Sequence, residues 1–91
     1  MSSDIRTKSV TILNEEGLHA RPASLFAQIA NQFNSQISVA RGEESVDGKS
    51  ILSILTLGAT QGVRLIIRAE GTDADLAVKQ LSQLVESGFD E

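Results

Sequence analysis

The chain predicts an α+β fold, an open-faced β-sandwich in which a four-stranded antiparallel sheet carries three helices on one face, in the order β-α-β-β-α-β-α. Three observations predict it. Three of the four strand segments alternate cleanly between apolar and polar residues, which lets a sheet leave its other face in water. Two longer segments repeat apolar residues at helical spacing. The 91 residues, 41% apolar and 22% charged, suit one globular domain spanning 1–91, and show no repeat, linker or low-complexity tract.

The elements follow in order. From Lys8 to Leu13, "KSVTIL" puts Val10 and Ile12 on one face of a strand, and "NEEG" breaks it. Leu25, Phe26, Ile29, Ala30 and Phe33 then mark a helix over about Ala20 to Phe33. "QISVAR" alternates Ile37 and Val39 with polar neighbours, "GEE" turns, and "SVDG" returns as a short strand, so the two form a hairpin. "VRLIIRA" places Val63, Leu65, Ile67 and Ala69 on one face. Thr72 or Asp73 then caps a last helix built on Leu76, Ala77, Leu81, Leu84 and Val85.

"SILSILTLG" is a short helix between the N-cap Ser50 and the stop Gly58. At about 100° per residue, Ile51, Leu52 and Leu55 fall on one arc and Ile54 and Leu57 on the opposite one. A short helix on a one-layer core cannot bury both. The first arc therefore faces solvent as a partner surface, unless the whole helix sinks deeper into the core.

Several function classes drop out. Without cysteine there is no disulfide, thiolate ligand or cysteine nucleophile, as expected of a cytoplasmic protein. "MSSDIRTKSV" lacks the apolar centre of a signal peptide, and "ILSILTLGA" falls short of the roughly 20 residues of a membrane span, so no membrane insertion is expected. A net charge of −4 with no Tyr or Trp argues against nucleic acid. "GEESVDGKS" misses the P-loop spacing by one residue, with Glu43 where the first glycine belongs. A Ser24–His19 hydrolase pair lacks the G-x-S-x-G elbow. One histidine without cysteine points to no metal site, and no cofactor is expected.

What remains is "GLHARPAS", residues 17–24, which holds the only histidine and the only proline. Pro22 suits the first turn of a helix, where a missing N–H costs nothing, so His19 stands just before that helix with Arg21 beside it. An anion near His19 would meet free amides, the positive end of the helix dipole and a guanidinium. Neutral imidazole is nucleophilic near pH 7 and forms a labile N–P bond, the chemistry of a transient phosphoryl carrier. On local chemistry alone a plain turn histidine beside a solvated arginine remains open.

"GLHARPAS" and "GKSILSILTLGATQG" together resemble the HPr family, the histidine-containing phosphocarriers of the bacterial phosphoenolpyruvate-dependent phosphotransferase system. The resemblance spans nearly the whole chain. It implies an open-faced β-sandwich with three helices, and His19 phosphorylated on Nδ1 by phospho-enzyme I and dephosphorylated by enzyme IIA domains. It further implies that Arg21 stabilises the phosphohistidine, with Ala20 and Pro22 completing the motif. Ser50 matches a regulatory serine, the target of an HPr kinase/phosphorylase where a bacterium has one. Lys49, Ile51, Leu52 and Leu55, with Ala20, match the docking surface. Glu16, Gln28 and Asn31 depart from relatives that carry a small hydroxyl or lysines there, so the docking face is less basic and partner choice is affected first. "ESGFDE" is similar to the nitrogen-related NPr branch, whereas "GKSILSILTLG" is closer to the sugar branch. The competing reading is a regulatory module that acts through Ser50 and the apolar arc. A relay that exposes His19 to successive partners is expected to be a monomer.

Overall fold

The computed structural model describes residues 4–90. Its elements are β1 (Ile5–Thr11), α1 (Ala20–Ala30), β2 (Gln36–Arg41), β3 (Glu44–Asp47), α2 (Ile51–Leu55), β4 (Arg64–Glu70), α3 (Ala74–Glu86) and a terminal 3-10 turn, Gly88–Asp90. The strands form one antiparallel sheet in the order β1-β4-β2-β3. β1 and β2 both run antiparallel to β4 and so parallel to each other, which requires the crossover that α1 supplies. β2 and β3 form the expected hairpin.

Period-two patterning sets which face is covered. Val10, Ile37, Val39, Leu65, Ile67 and Ala69 are buried beneath the helices, while Arg64 and Ile66 of β4 face water. Alanines let the helices approach closely: α1 buries Ala23, Ala27 and Ala30 around Phe26, and α3 buries Ala74 and Ala77 beside Leu81 and Val85. Each fully buried Leu, Ile or Phe contributes about 1.5–3 kcal/mol of transfer free energy.

Several boundaries differ from the sequence expectation. β1 runs Ile5–Thr11 rather than Lys8–Leu13, although Ile12 remains buried and bonds Val63 and Gly62 through its backbone. α1 ends at Ala30 and not at Phe33, because Gln32 and Phe33 tighten into bonds to the carbonyls of Ile29 and Ala30. Phe33 is still buried. β3 begins one residue early, at Glu44, and ends as expected at the break of Gly48, whose amide bonds Ile37 O at 2.8 Å and where a Cβ would meet Ile37 Cγ2 at 2.7 Å. Leu76, placed on the apolar face of the last helix, is 50% exposed, and Val78 fills the core instead.

Asp73 is the N-cap of α3, but its carboxylate bonds none of that helix's amides. It accepts from Asn34 N at 2.8 Å, from Ser35 N at 2.9 Å and from the Ser35 hydroxyl, tying the α1–β2 connection to the start of α3. The Ser35 hydroxyl first, and then the Asn34 amide, hold the Asp73 carboxyl below its ordinary range. A carboxyl depressed in the folded state stabilises above its unfolded pKa and ceases to do so as pH falls through the lower folded value. Asp73→Asn is therefore expected to melt at a lower temperature than wild type at pH 7. The gap should close as pH drops below about 4, which thermal denaturation at a series of pH values will read.

Candidate functional site

The β1–α1 loop is shaped before it reaches His19. Asn14 Nδ2 donates to Gly17 O at 2.6 Å, and Gly17 N returns to Asn14 O at 3.1 Å, closing a tight turn. Gly17 has φ +74°, and a Cβ there would lie 2.7 Å from Ala59 O and 2.9 Å from Thr60 Cα. The next amide, Leu18 N, donates to Ala59 O at 2.9 Å. The loop thus rests directly on the segment that leaves α2, and only glycine has both the backbone freedom and the size for it.

His19 follows as the N-cap of α1, with extended backbone (φ −83°, ψ −169°), its carbonyl accepting from Ala23 N at 3.0 Å. Ala20, Arg21 and Pro22 are the first three helical residues. Pro22 is fully buried and has no N–H to satisfy, while the amides of Ala20 and Arg21 have no acceptor within the helix. The imidazole is half-exposed and the Arg21 side chain is exposed. Free helix amides, a dipole end and an accessible imidazole therefore meet at one helix end, with an exposed arginine in the same turn. That arrangement can bind an oxyanion and attack it.

The site is more acidic than its motif alone suggests. Arg21 lines a cavity of about 460 Å³ together with Asn14, Glu15, Glu16 and Asp90. Glu16 Oε2 lies 3.4 Å from His19 Nε2. Its position three residues before the histidine could have signalled this contact, since residues so spaced meet across a turn. Asp90 gave no local signal. It arrives because Phe89, in the left-handed region at φ 58°, is buried and anchors the terminal turn.

The second motif forms α2. Ser50 is its N-cap, the hydroxyl accepting from Ser53 N at 3.2 Å, and Arg41 closes the other end by donating to Leu57 O and Gly58 O at 2.9 and 3.0 Å. Ile54 and Leu57 are buried; Ile51 is exposed and Leu52 is 77% exposed. Leu55 departs from the expected arc, being half-buried against the core. Lys49 is partly a structural tie, because its ammonium donates to Phe33 O at 2.7 Å while its own carbonyl accepts from Asn31 Nδ2 at 3.0 Å.

Gly17→Ala is expected to cost about 1–3 kcal/mol through left-handed strain and the Ala59 clash. It should also displace His19, seen in denaturant midpoints and in the histidine ring signals. An alanine variant with wild-type stability would show that the loop is not set by this fit.

Comparison with known proteins agrees with this geometry. The family model for the PTS HPr component phosphorylation site matches residues 6–87. The chain is 42% identical over 83 residues to the phosphocarrier protein HPr of Pseudomonas aeruginosa, covering 90% of this chain and 92% of that one. It is 37% identical over 84 residues to the phosphocarrier protein NPr of Shewanella violacea, covering 92% of each. The crystal structure of HPr-C-His from Thermoanaerobacter tengcongensis superposes with a TM-score of 0.91 at 45% identity, covering 94% of this chain and 97% of that one. With the family model spanning most of its length and the fold shared throughout, the chain belongs to the HPr family of phosphocarrier proteins of the phosphotransferase system.

Proposed function

We propose that this protein takes a phosphoryl group from phospho-enzyme I onto His19 and passes it to enzyme IIA-type proteins, in the cytoplasm, for sugar uptake or its regulation. The observation that carries this reading is the half-exposed His19 at the N-terminus of α1, next to the amides of Ala20 and Arg21, with the exposed Arg21 side chain in the same first turn. The His19 lone pair attacks phosphorus in line while the donor's P–N bond breaks and its electron pair returns to the donor nitrogen. Such a loose transition state needs positioning and charge neutralisation, and no deep pocket. Arg21 and the helix amides supply both. Pro22 fixes the helix end that carries them.

The exposed pair Ile51 and Leu52 is the apolar centre of the docking face, with Ala20 at the neighbouring start of α1. Ser50 favours a second, regulatory reading through its place at the edge of that patch. Its hydroxyl caps a helix N-terminus, where the dipole tolerates a phosphate dianion, and that charge beside Leu52 would weaken docking. An HPr kinase/phosphorylase is the class of enzyme that would act there. The carrier works as a monomer, since both enzyme I and enzyme IIA must reach His19.

Incubation with phosphoenolpyruvate and purified enzyme I should give an acid-labile phosphoryl group that is lost in His19→Ala. No label on wild type, or full label on the variant, rejects the carrier reading. Leu52→Asp should weaken enzyme I binding by tenfold or more, read by calorimetric titration, yet change stability by only about 0.5 kcal/mol. The same change at buried Ile54 should unfold the domain.

A further inference from the structure

Glu16 brings a carboxylate oxygen to 3.4 Å from Nε2 of His19, from three residues earlier in the same loop. A neutral imidazole has one N–H and one lone pair, and only the nitrogen bearing the lone pair can attack phosphorus. A carboxylate accepts hydrogen bonds and donates none, so beside Nε2 it matches a proton there and opposes a lone pair. The ring's other nitrogen, Nδ1, is left as the nucleophile.

We infer that Glu16 is a positioning residue that holds the proton on Nε2 of His19, so that Nδ1 receives the phosphoryl group, and that it balances the ring's charge once Nδ1 is phosphorylated. This deepens the carrier reading and rests on it. As the Nδ1 lone pair forms the new N–P bond, the donor's P–N bond breaks with its electrons leaving to the donor. The Nε2 proton stays in place, and the ring, now substituted on one nitrogen and protonated on the other, becomes cationic. The contact is longer than the about 2.7–2.9 Å of a charge-assisted hydrogen bond and its carboxylate is open to solvent although Nε2 itself is covered, so its effect is modest in the resting ring and grows with that positive charge. Among the described residues, Arg21 from α1, Glu15 from the loop and Asp90 from the terminal turn are the other charged groups lining the adjoining cavity. Substitution of Glu16 leaves them in place.

Long-range 1H–15N spectra of histidine-labelled protein, recorded about two pH units above the ordinary histidine pKa, read the ratio of Nε2–H to Nδ1–H tautomers without any phosphoryl donor. Glu16→Ala should lower that ratio about two- to fivefold, the range for an exposed charged contact. Glu16→Gln, which keeps an acceptor oxygen, should restore part of it. Glu15→Ala, which removes the same charge one residue away, should leave the ratio at its wild-type value. An unchanged ratio in Glu16→Ala, or an equal fall in Glu15→Ala, overturns the assignment. The tautomer ratio decides on Glu16 whether or not a donor labels His19, and labelling decides separately on the carrier reading.

Discussion

The seating of Gly17 and Leu18 against Ala59 and Thr60 is the constraint on which the rest of the site depends. It is a backbone contact, so it fixes the chain entering α1 without relying on any side-chain rotamer. His19 inherits its place at the helix end from that seat, and Arg21 inherits its place from the helix. The same segment leaves α2, whose exposed Ile51 and Leu52 form the proposed docking face. The two motifs that stand apart in sequence are therefore one mechanical unit, and a disturbance in either reaches the other through a single hydrogen-bonded step.

Around this unit the fold uses polar ties where it lacks apolar area. Asp73 gathers the amides of the α1–β2 connection, Lys49 and Asn31 join the end of α1 to the approach to α2, and Arg41 closes the far end of α2. Each satisfies backbone groups that a short helix or connection leaves unpaired. A five-residue helix such as α2 has little stability of its own, and its caps and the burial of Ile54 and Leu57 hold it in place.

What the sequence made legible follows from the range of each interaction. Alternation in β1, β2 and β4 and the apolar spacing of α1 are local signals, and they placed these elements and their buried faces. The helix end at Ala30, the exposure of Leu76 and the half-burial of Leu55 depend on what lies across the core, which periodicity does not encode. Asp73 is the N-cap that the local pattern marks, but its side-chain partners lie at residues 34 and 35, beyond the one turn within which capping is read. In the candidate site, His19, Arg21 and Pro22 stand in one motif and were named from it, whereas the close seat that Gly17 needs against Ala59 was not readable. Glu16 was named for its charge and not for its contact with Nε2, which its spacing of three residues could have signalled, and Asp90 was not readable because a buried Phe89 carries it there from the far end of the chain.

The acidity of the site has a physical consequence for a relay. A cluster of cations would hold a phosphoryl group tightly in the ground state and slow its release, because binding shared by ground and transition states gives no rate. Among the described residues, two helix amides and one arginine stand in the first turn of α1, with Glu15, Glu16 and Asp90 lining the space beside Arg21. Those carboxylates oppose accumulation of negative charge on this surface. Exposure to solvent screens attraction and repulsion alike, so the balance stays shallow in either direction. A carrier must accept and donate with similar ease, and an open site with weakly opposed charges meets that requirement better than an enclosed basic pocket would.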